Sequence, residues 1–418
     1  MHVWHERLLE HGFDTVSLTA YARQYAWDSA DLRFAPPEDS ATHRELRAAR
    51  AAGLRAVLVV RLELEHAHPR NRFLWHGSVV PRDDAALAAW FERYGELVRG
   101  WAEIAEREGV ELFGIGSELT ALTSTAAIEE LPELEQYYLD GDKQARERAR
   151  LLDASGTVAT EHLAAGWGET FDRFDTFLDE RAAAQAAWAR QVTGGGDVAW
   201  LASRRRLLER HWRELVADVR ELYSGRVTYA ANFDQYRAVG FWDALDVLSI
   251  NGYFPLRSAF EPEEDPQALE PQLRVSWERI LREIDAFRRE RDLQHMPVVF
   301  TELGYTPRAG ATIQPWAGTG FAALGGESGE AGGEGDPTPS PQLVVWPEQP
   351  YQPRERAVAI RALAAAARQA PDLLHGLLWW KLSTVPGHRE IEPFVVILGE
   401  RGEAEDPVLP ELRALAGR

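Results

Sequence analysis

The sequence predicts one α/β domain of the (β/α)8-barrel type, with two insertions. Along its 418 residues, short apolar runs typical of buried parallel strands alternate with amphipathic helical patterns. Such an alternation predicts a parallel sheet, and this many repeats predict a sheet that is rolled into a barrel. Two of the apolar runs end in a glutamate, Glu118 and Glu302. Because catalytic residues of barrel enzymes lie at the carboxyl ends of the strands, the function should lie at that rim.

The predicted elements can be taken in chain order. A short helix over 2–12 ends at Gly12, and a strand over 13–21 follows it. The longest helix covers 83–108, where Asp83 or Asp84 is the expected N-cap and Gly109 ends the helix. The other predicted strands are 54–62, 112–118, 226–232, 247–253, 298–302 and 377–382, and the other helices are 39–52, 272–290 and 353–369.

These patterns give seven strands where a closed barrel needs eight. The run 394–398 is a weak candidate for the eighth strand, because it lies near the end of the chain. Two alternatives remain open from the sequence. Either the natural N-terminus is longer and carries the first strand, or the barrel is incomplete.

Two stretches fall outside the alternation. Residues 124–205 are rich in Ala, Glu, Arg and Leu, which predicts a helical insertion docked outside the barrel. Residues 308–342 are rich in glycine, which predicts a flexible loop. Because this loop follows the Glu302 strand directly, it should hang over the active face.

Composition narrows the classes of partner. A formal charge of -20 argues against nucleic-acid binding, and the absence of cysteine excludes disulfides and thiolate sites. No apolar run reaches the roughly 20 residues of a membrane-spanning helix, and we expect no secretory signal in the first residues. A polar loop carries Glu63, Glu65, His66, His68 and His76, but its spacing defines no metal site, so neither a metal nor a cofactor is predicted.

Glu118 and Glu302 suit the hydrolysis of a glycosidic bond. That reaction needs a proton for the leaving oxygen and a second carboxylate at the anomeric carbon. Each glutamate taken alone could equally cap a helix or pair with an arginine. Together, at the ends of two buried strands, they favour the catalytic interpretation.

The strand-end motifs resemble those of glycoside hydrolase family 113, whose members are β-mannanase-like enzymes of the clan A barrels. The motifs are GIGSEL (114–119), TYAANFD (228–234), INGYFPL (250–256), FTELGY (300–305) and LLWW (377–380). The resemblance spans about residues 10–400 without the two insertions. Two departures stand out: His76 replaces the arginine of a Trp-Arg-Gly element that begins at Trp75, and Arg61-Leu62 stand where the family usually carries Pro-His.

The resemblance implies a role for several residues. Glu118 matches the acid/base and Glu302 the nucleophile of a retaining enzyme, with Tyr253 near the nucleophile. Carboxyl groups about 5–5.5 Å apart are typical of that mechanism, and their environments should keep Glu118 protonated and Glu302 ionised. The implied substrate-binding residues are Trp75, Asn232, Asp234, Tyr253, Tyr305, Trp379 and Trp380, although the barrel core is the favoured place for one of the last two.

We therefore predict a retaining glycoside hydrolase that acts on β-linked hexose polymers or oligosaccharides, with β-mannan as the first guess. The alternative is a catalytically inactive carbohydrate-binding or protein-interaction module on a degenerate barrel. The separation of the two glutamates distinguishes these hypotheses, because only a catalytic pair must share one pocket.

Overall fold

The computed structural model describes residues 2–65, 67–123, 141–142, 145, 174–257, 265–316, 320–325, 341–346, 349–399 and 405–416. The strands are β1 (Thr15–Gln24), β2 (Leu32–Arg33), β3 (Arg55–Leu64), β4 (Leu112–Ser117), β5 (Arg226–Asn232), β6 (Val247–Asn251), β7 (Val298–Leu303), β8 (Gly320–Gly325), β9 (Pro341–Trp346), β10 (Leu374–Trp379), β11 (Leu382–Ser383) and β12 (Val396–Ile397). The helices are α1 (His2–Glu10), α2 (Ala41–Ala51), α3 (Asp84–Glu108), α4 (Phe174–Thr193), α5 (Val198–Leu222), α6 (Glu270–Glu290), α7 (Pro353–Ala367), α8 (His388–Ile391) and α9 (Val408–Ala416).

A curled eight-stranded sheet occupies the centre, in the order β10-β7-β6-β5-β4-β3-β1-β2. Seven of these strands are parallel, and the two-residue β2 runs antiparallel on the end of β1. The mixed α/β fold is therefore of the predicted barrel type. Within the described residues, no strand joins β1 to β10. The candidate at 394–398 does not fill that position, because β12 pairs with β11 instead.

The parallel strands have apolar residues on both faces, which explains why their sequences show no alternation. In β3, Leu58, Val60 and Leu62 belong to the core between the sheet and the helices. Val57 and Val59 face the other way, into a smaller apolar cluster inside the curl. That inner cluster also contains Leu112, Ala230 and Val247. Since successive residues of a strand alternate in direction, the next inward residue of β3 is Arg61.

Helix α3 begins and ends as its sequence predicts. The Asp83 side chain accepts a hydrogen bond from the backbone N–H of Ala86 at 2.8 Å, which is the bond of an N-cap. Gly109 ends the helix with φ of 65°, a left-handed conformation that glycine adopts with little strain. These caps fix where the chain enters β4 and, through it, the position of Glu118.

The described part of the 124–205 stretch is helical, in α4 and the start of α5, and most of residues 124–173 lie outside the described residues. The indole N–H of Trp188 in α4 donates to the carbonyl of Ser78 at 3.0 Å. In α5, Arg204 is buried, pairs with Asp84 at 3.1 Å and donates to the carbonyl of Pro81. These contacts anchor the helices to the loop that leads into α3.

The start of the 308–342 stretch is packed rather than open. Residues 310–315 are buried, and the Glu355 carboxylate accepts hydrogen bonds from the backbone N–H groups of Gly310 and Thr312, both at 2.9 Å. Arg257 pairs with the same carboxylate at 3.1 Å. Farther along, β8 and β9 form an antiparallel pair, and residues 326–340 lie outside the described residues.

Gly304 allows β7 and β10 to approach closely at the rim. The backbone N–H of Trp380 donates to the carbonyl of Leu303 at 2.8 Å, and a Cβ at residue 304 would collide with the Trp380 carbonyl oxygen. We therefore expect Gly304→Ala to destabilise the protein by about 1–3 kcal/mol, a typical cost of overpacking. Gly376→Ala is the matched control, because its Cβ would lie 3.6 Å from Val299, an ordinary contact. Chemical denaturation measures both, and equal stabilities of the two variants would contradict the expectation.

Candidate active site

Glu118 is the first residue after β4, and its backbone is held in an unusual conformation. Its φ of 53° lies in the left-handed region, which costs a non-glycine residue about 1–3 kcal/mol. Two bonds hold this turn: the N–H of Glu118 donates to the carbonyl of Ala230 at 2.9 Å, and the N–H of Leu119 donates to the hydroxyl of Tyr229 at 2.7 Å. Such strain is found mainly where function requires one side-chain direction.

Glu302 lies within β7, and its side chain is buried. The backbone N–H of Gly252 donates to the Glu302 carbonyl at 2.6 Å, where the register between β6 and β7 is irregular. The hydroxyl of Tyr253 donates to Glu302 Oε2 at 2.8 Å. Burial, followed by the Glu302 and Glu118 charges, holds the pKa of Tyr253 well above its usual value, so this hydroxyl keeps the proton that it donates.

Arg61 joins the two glutamates. Its Nη1 donates to Glu302 Oε1 at 2.7 Å, and its Nη2 donates to Glu118 Oε2 at 3.1 Å. The guanidinium lies over the ring of Trp380, with its carbon 5.1 Å from the ring centroid, within the range of a cation–π contact. The fold therefore brings strand ends that are distant in sequence to one guanidinium.

Further polar groups complete the surroundings of the pair. His76 Nε2 lies 3.0 Å from Glu118 Oε2, at the start of the one-turn 3-10 helix His76–Ser78. Asn251 donates to the hydroxyl of Ser117 at 3.2 Å, and its own oxygen accepts from Thr301 at 2.9 Å. These bonds fix the amide of Asn251 beside both carboxylates.

The pKa values of the two carboxyls are shifted in opposite directions. Burial raises the pKa of Glu118, but the hydrogen bond with His76 and the charge of Arg61 outweigh it, so the pKa is lowered. For Glu302, burial and the nearby Glu118 charge outweigh Arg61 and raise the pKa to about 7. The order is the reverse of the expected one, because within the described residues both Arg61 and His76 lie in ion-pair range of Glu118, whereas Glu302 has Arg61 alone.

Three of the predicted substrate-binding residues lie at or after strand ends: Trp75 and Asp234 on loops, and Asn232 as the last residue of β5. The Trp75 side chain is 39% exposed and packs edge-on against His76 at 4.7 Å. Asn232 ends β5, and its side-chain oxygen accepts from the backbone N–H of Phe233 at 3.0 Å. Asp234 lies in a recess: surrounding protein raises its pKa to about 6, with a smaller contribution from Glu118, while the side chain still reaches solvent.

Tyr305 and Trp379 pack in or against the core instead of facing Arg61. Tyr305 is completely buried, and its hydroxyl donates to the carbonyl of Phe254 at 3.3 Å. Trp379 packs against the core between sheet and helices, where its indole nitrogen is buried without a partner. Alternation along β10 explains the difference between the two tryptophans, since Trp380 is the one that faces Arg61.

Two residues at the site were not assigned to it from the sequence. Arg61 was identified only as a departure from the family pattern, and Tyr21 was not singled out. Tyr21 pairs in register with Arg61 across β1 and β3, so both point inward. The surrounding protein raises the pKa of Tyr21, although the residue is about half exposed, and the charges of Arg61 and Glu302 also act on it. Side chains alternate between the two faces of a strand, so every second residue of β1 and of β3 points inward. Following that alternation to the strand ends is the sequence signal that could have found both residues.

Within the described part of the chain, no three His, Asp or Glu side chains form a cluster that could hold a metal ion. His66, one of the loop residues considered for such a site, lies outside that part. The helices of the described residues include none with the length and apolar character needed to cross a membrane.

Comparisons with known proteins agree with this architecture. The sequence profile of Glycoside Hydrolase Family 113 matches residues 5–129 and 148–326, more than half of the chain. The comparison of this chain with curated protein sequences found no match. Among solved structures, the chain is similar to GH113 β-mannanase AaManA from Alicyclobacillus acidocaldarius, with 17% identity and a TM-score of 0.57 over 100% of this chain and 90% of that one. It is also similar to a GH113 β-1,4-mannanase, with 18% identity and a TM-score of 0.55 over 100% of this chain and 92% of that one. At these identities the structures show a shared fold, and the profile shows more: the chain belongs to glycoside hydrolase family 113.

Proposed function

We propose that the protein is a retaining glycoside hydrolase that cleaves β-linked hexose polymers or oligosaccharides, with Glu302 as nucleophile and Glu118 as acid/base. The observation that carries this proposal is the binding of both carboxylates by one guanidinium at the carboxyl ends of β4 and β7. The two groups needed for glycosidic cleavage thus bind the same side chain, and membership of the family supports the reaction class.

The reaction would proceed in two displacements. Glu302 attacks the anomeric carbon and forms an ester with the sugar, while Glu118 gives its proton to the departing oxygen. Glu118 then takes a proton from a water molecule, which attacks the anomeric carbon and releases Glu302. Two inversions leave the sugar with its original configuration.

The pair carries the one proton that this scheme needs, but the pKa values favour it on the other glutamate. The raised pKa of Glu302 and the lowered pKa of Glu118 mean that the pair holds one proton between the two values. In the free protein that proton lies mainly on Glu302, and the double displacement starts from the other one-proton arrangement, with the proton on Glu118. Both arrangements disappear together when the pair loses its last proton.

Sugar binding would use the groups around the pair. Trp380 offers an aromatic face beside Arg61, and exposed Trp75 lies on the Glu118 side next to His76. Asn232 at the end of β5 and Asp234 just after it offer oxygen acceptors for hydroxyl groups. Since the two similar structures are both named as β-mannanases, β-mannan is the first polymer to test.

Activity should fall as the pH rises through about 7. Above that value the pair loses its one proton, and no acid remains for the leaving oxygen. Tyr253→Phe should move this alkaline limb to higher pH, because the lost hydrogen bond stabilises the charged form of Glu302. The dependence of kcat/KM on pH measures the alkaline limb of the wild type and its displacement in Tyr253→Phe. A Tyr253→Phe limb at or below that of the wild type would contradict the expectation.

A substrate panel with product stereochemistry tests the proposal itself. Hydrolysis of β-mannan, β-glucan, xylan and β-linked aryl hexosides would be followed, and proton NMR would identify the anomer formed first. We expect cleavage of a hexose substrate with the β-anomer as first product. A first product of α-configuration would contradict retention, and no cleavage of any substrate would favour a carbohydrate-binding protein.

A further inference from the structure

We infer that Arg61 is a positioning residue, which holds the acid/base and the nucleophile at one separation by binding each with a different nitrogen of its guanidinium. This inference rests on the proposed function and adds a residue to it. Nη1 binds Glu302 at 2.7 Å and Nη2 binds Glu118 at 3.1 Å. Neither carboxylate can move away from the other without breaking a buried, charge-assisted hydrogen bond. We call the Arg61 guanidinium in this arrangement the clamp.

Within the described residues, Arg61 is the one cation in ion-pair contact with Glu302. Glu118 has a second partner in His76, at 3.0 Å, whereas Glu302 otherwise relies on the hydroxyl of Tyr253. Loss of Arg61 would therefore affect the two glutamates unequally. Glu302 would remain buried with no cation beside it, and Glu118 would keep its histidine.

The guanidinium is itself held firmly enough to position other groups. Arg61 points to the inside of the curled sheet, on the same face of β3 as Val57 and Val59. Those two valines pack in the apolar cluster inside the curl. Its side chain is 15% exposed and lies over Trp380. Burial acts to lower the pKa of Arg61, but the Glu302 and Glu118 charges raise it above its usual value, so the clamp stays charged at any pH of interest.

The shape of arginine matters as much as its charge. The guanidinium is flat and rigid, and its nitrogens point at two acceptors in a fixed fork, whereas a lysine ammonium is a single point of charge on a flexible stem. Carboxyl separation decides the chemistry: about 5–5.5 Å suits a double displacement, and about 6.5–9.5 Å leaves room for an attacking water. A rigid bridge between the two carboxylates is a direct way to keep the shorter spacing.

Other charged or titratable groups around the clamp must be considered in any pH measurement. Those that act on Arg61 and the glutamates are Tyr21 on β1, His76 after β3, Asp234 after β5 and Tyr253 after β6. Lys381 also lies over the ring of Trp380, which Arg61 contacts. Its Nζ is 5.3 Å from the ring centroid and pairs with Glu392 at 3.1 Å.

Two substitutions separate charge from shape. Arg61→Met removes both, so we expect kcat on an aryl glycoside to fall roughly 100-fold, as for a misplaced reacting group, and the alkaline limb to rise by about one pH unit or more. Arg61→Lys keeps the charge near Glu302, so the limb should stay near that of the wild type while most of the loss in kcat remains. The control is Arg23→Met on the neighbouring strand, where Arg23 pairs with Glu63 and Glu65 at 3.3 Å. We expect wild-type kcat and pH dependence for the control.

Several outcomes would overturn the clamp. Wild-type kcat and pH dependence in Arg61→Met would show that the strand ends alone set the geometry. Full recovery of kcat in Arg61→Lys would show that charge suffices and the fork does not matter. If Arg61→Met fails to unfold cooperatively, Arg61→Lys decides the question alone. If Glu118→Ala and Glu302→Ala both keep wild-type activity, the proposed function itself fails, and the clamp fails with it.

Discussion

Glu302→Ala should lose hydrolysis of every substrate, whatever its leaving group. The substitution removes the atom that attacks the anomeric carbon, and a better leaving group cannot replace a missing nucleophile. Loss of a catalytic group of this kind costs about 10⁴-fold or more in kcat. Initial rates on β-mannan and on a 2,4-dinitrophenyl glycoside measure the effect.

The controls for this variant come from the same rim. Glu63→Ala removes a half-exposed glutamate at the end of β3 and should keep wild-type rates. Glu302→Gln keeps the size of the side chain, so a loss in both Glu302 variants cannot be attributed to a cavity. Added azide can enter the space left in Glu302→Ala and should give the α-glycosyl azide from an activated substrate. A Glu302→Ala variant with more than about a tenth of wild-type activity would exclude Glu302 as nucleophile.

Glu118→Ala should show a different defect, which depends on the leaving group. Without its acid, the protein should hydrolyse polymer about 10²–10⁴-fold more slowly. A 2,4-dinitrophenyl glycoside hardly needs the proton, so the glycosyl-enzyme should still form and then wait for a water molecule that has lost its base. We expect a burst of phenolate followed by slow turnover, measured by stopped-flow absorbance.

Azide distinguishes the two roles. It needs no general base, so it should speed the turnover of Glu118→Ala and give the β-glycosyl azide, with retained configuration. If Glu118→Ala gave the α-azide and Glu302→Ala gave the β-azide, the two roles would be exchanged. The comparison is informative because the pKa of Glu302 is the higher of the two in the free protein.

The strand ends were predictable because burial leaves a strong mark on sequence. Runs such as 298–300 are uniformly apolar, and an acidic residue at their end is conspicuous. This pattern pointed to Glu118 and Glu302, and the family resemblance pointed to Tyr253, which donates a hydrogen bond to Glu302. The count of seven parallel strands from the sequence matches the described residues, and β12, in the weak candidate run 394–398, pairs outside the main sheet.

Side-chain direction beyond the strand ends was not predictable. Tyr253 and Tyr305 both follow a glycine at a strand end, yet one binds Glu302 and the other is wholly buried. The register of β6 and β7 is irregular at this point, and sequence does not reveal such a shift. Arg61 was missed for a related reason. Its partners lie far along the chain, and only the alternation of side chains along β3 shows that it points inward.

Covalent trapping tests the central claim most directly. A 2-deoxy-2-fluoro-β-mannosyl fluoride, or the gluco analogue if glucosides are cleaved faster, slows both steps but keeps a good leaving group, so the glycosyl-enzyme accumulates. Intact mass and peptide mapping then locate the label on the wild-type protein. We predict one sugar per chain, attached to Glu302. A label on Glu118 or elsewhere, or cleavage of the natural substrate with inversion and no label, would contradict the account.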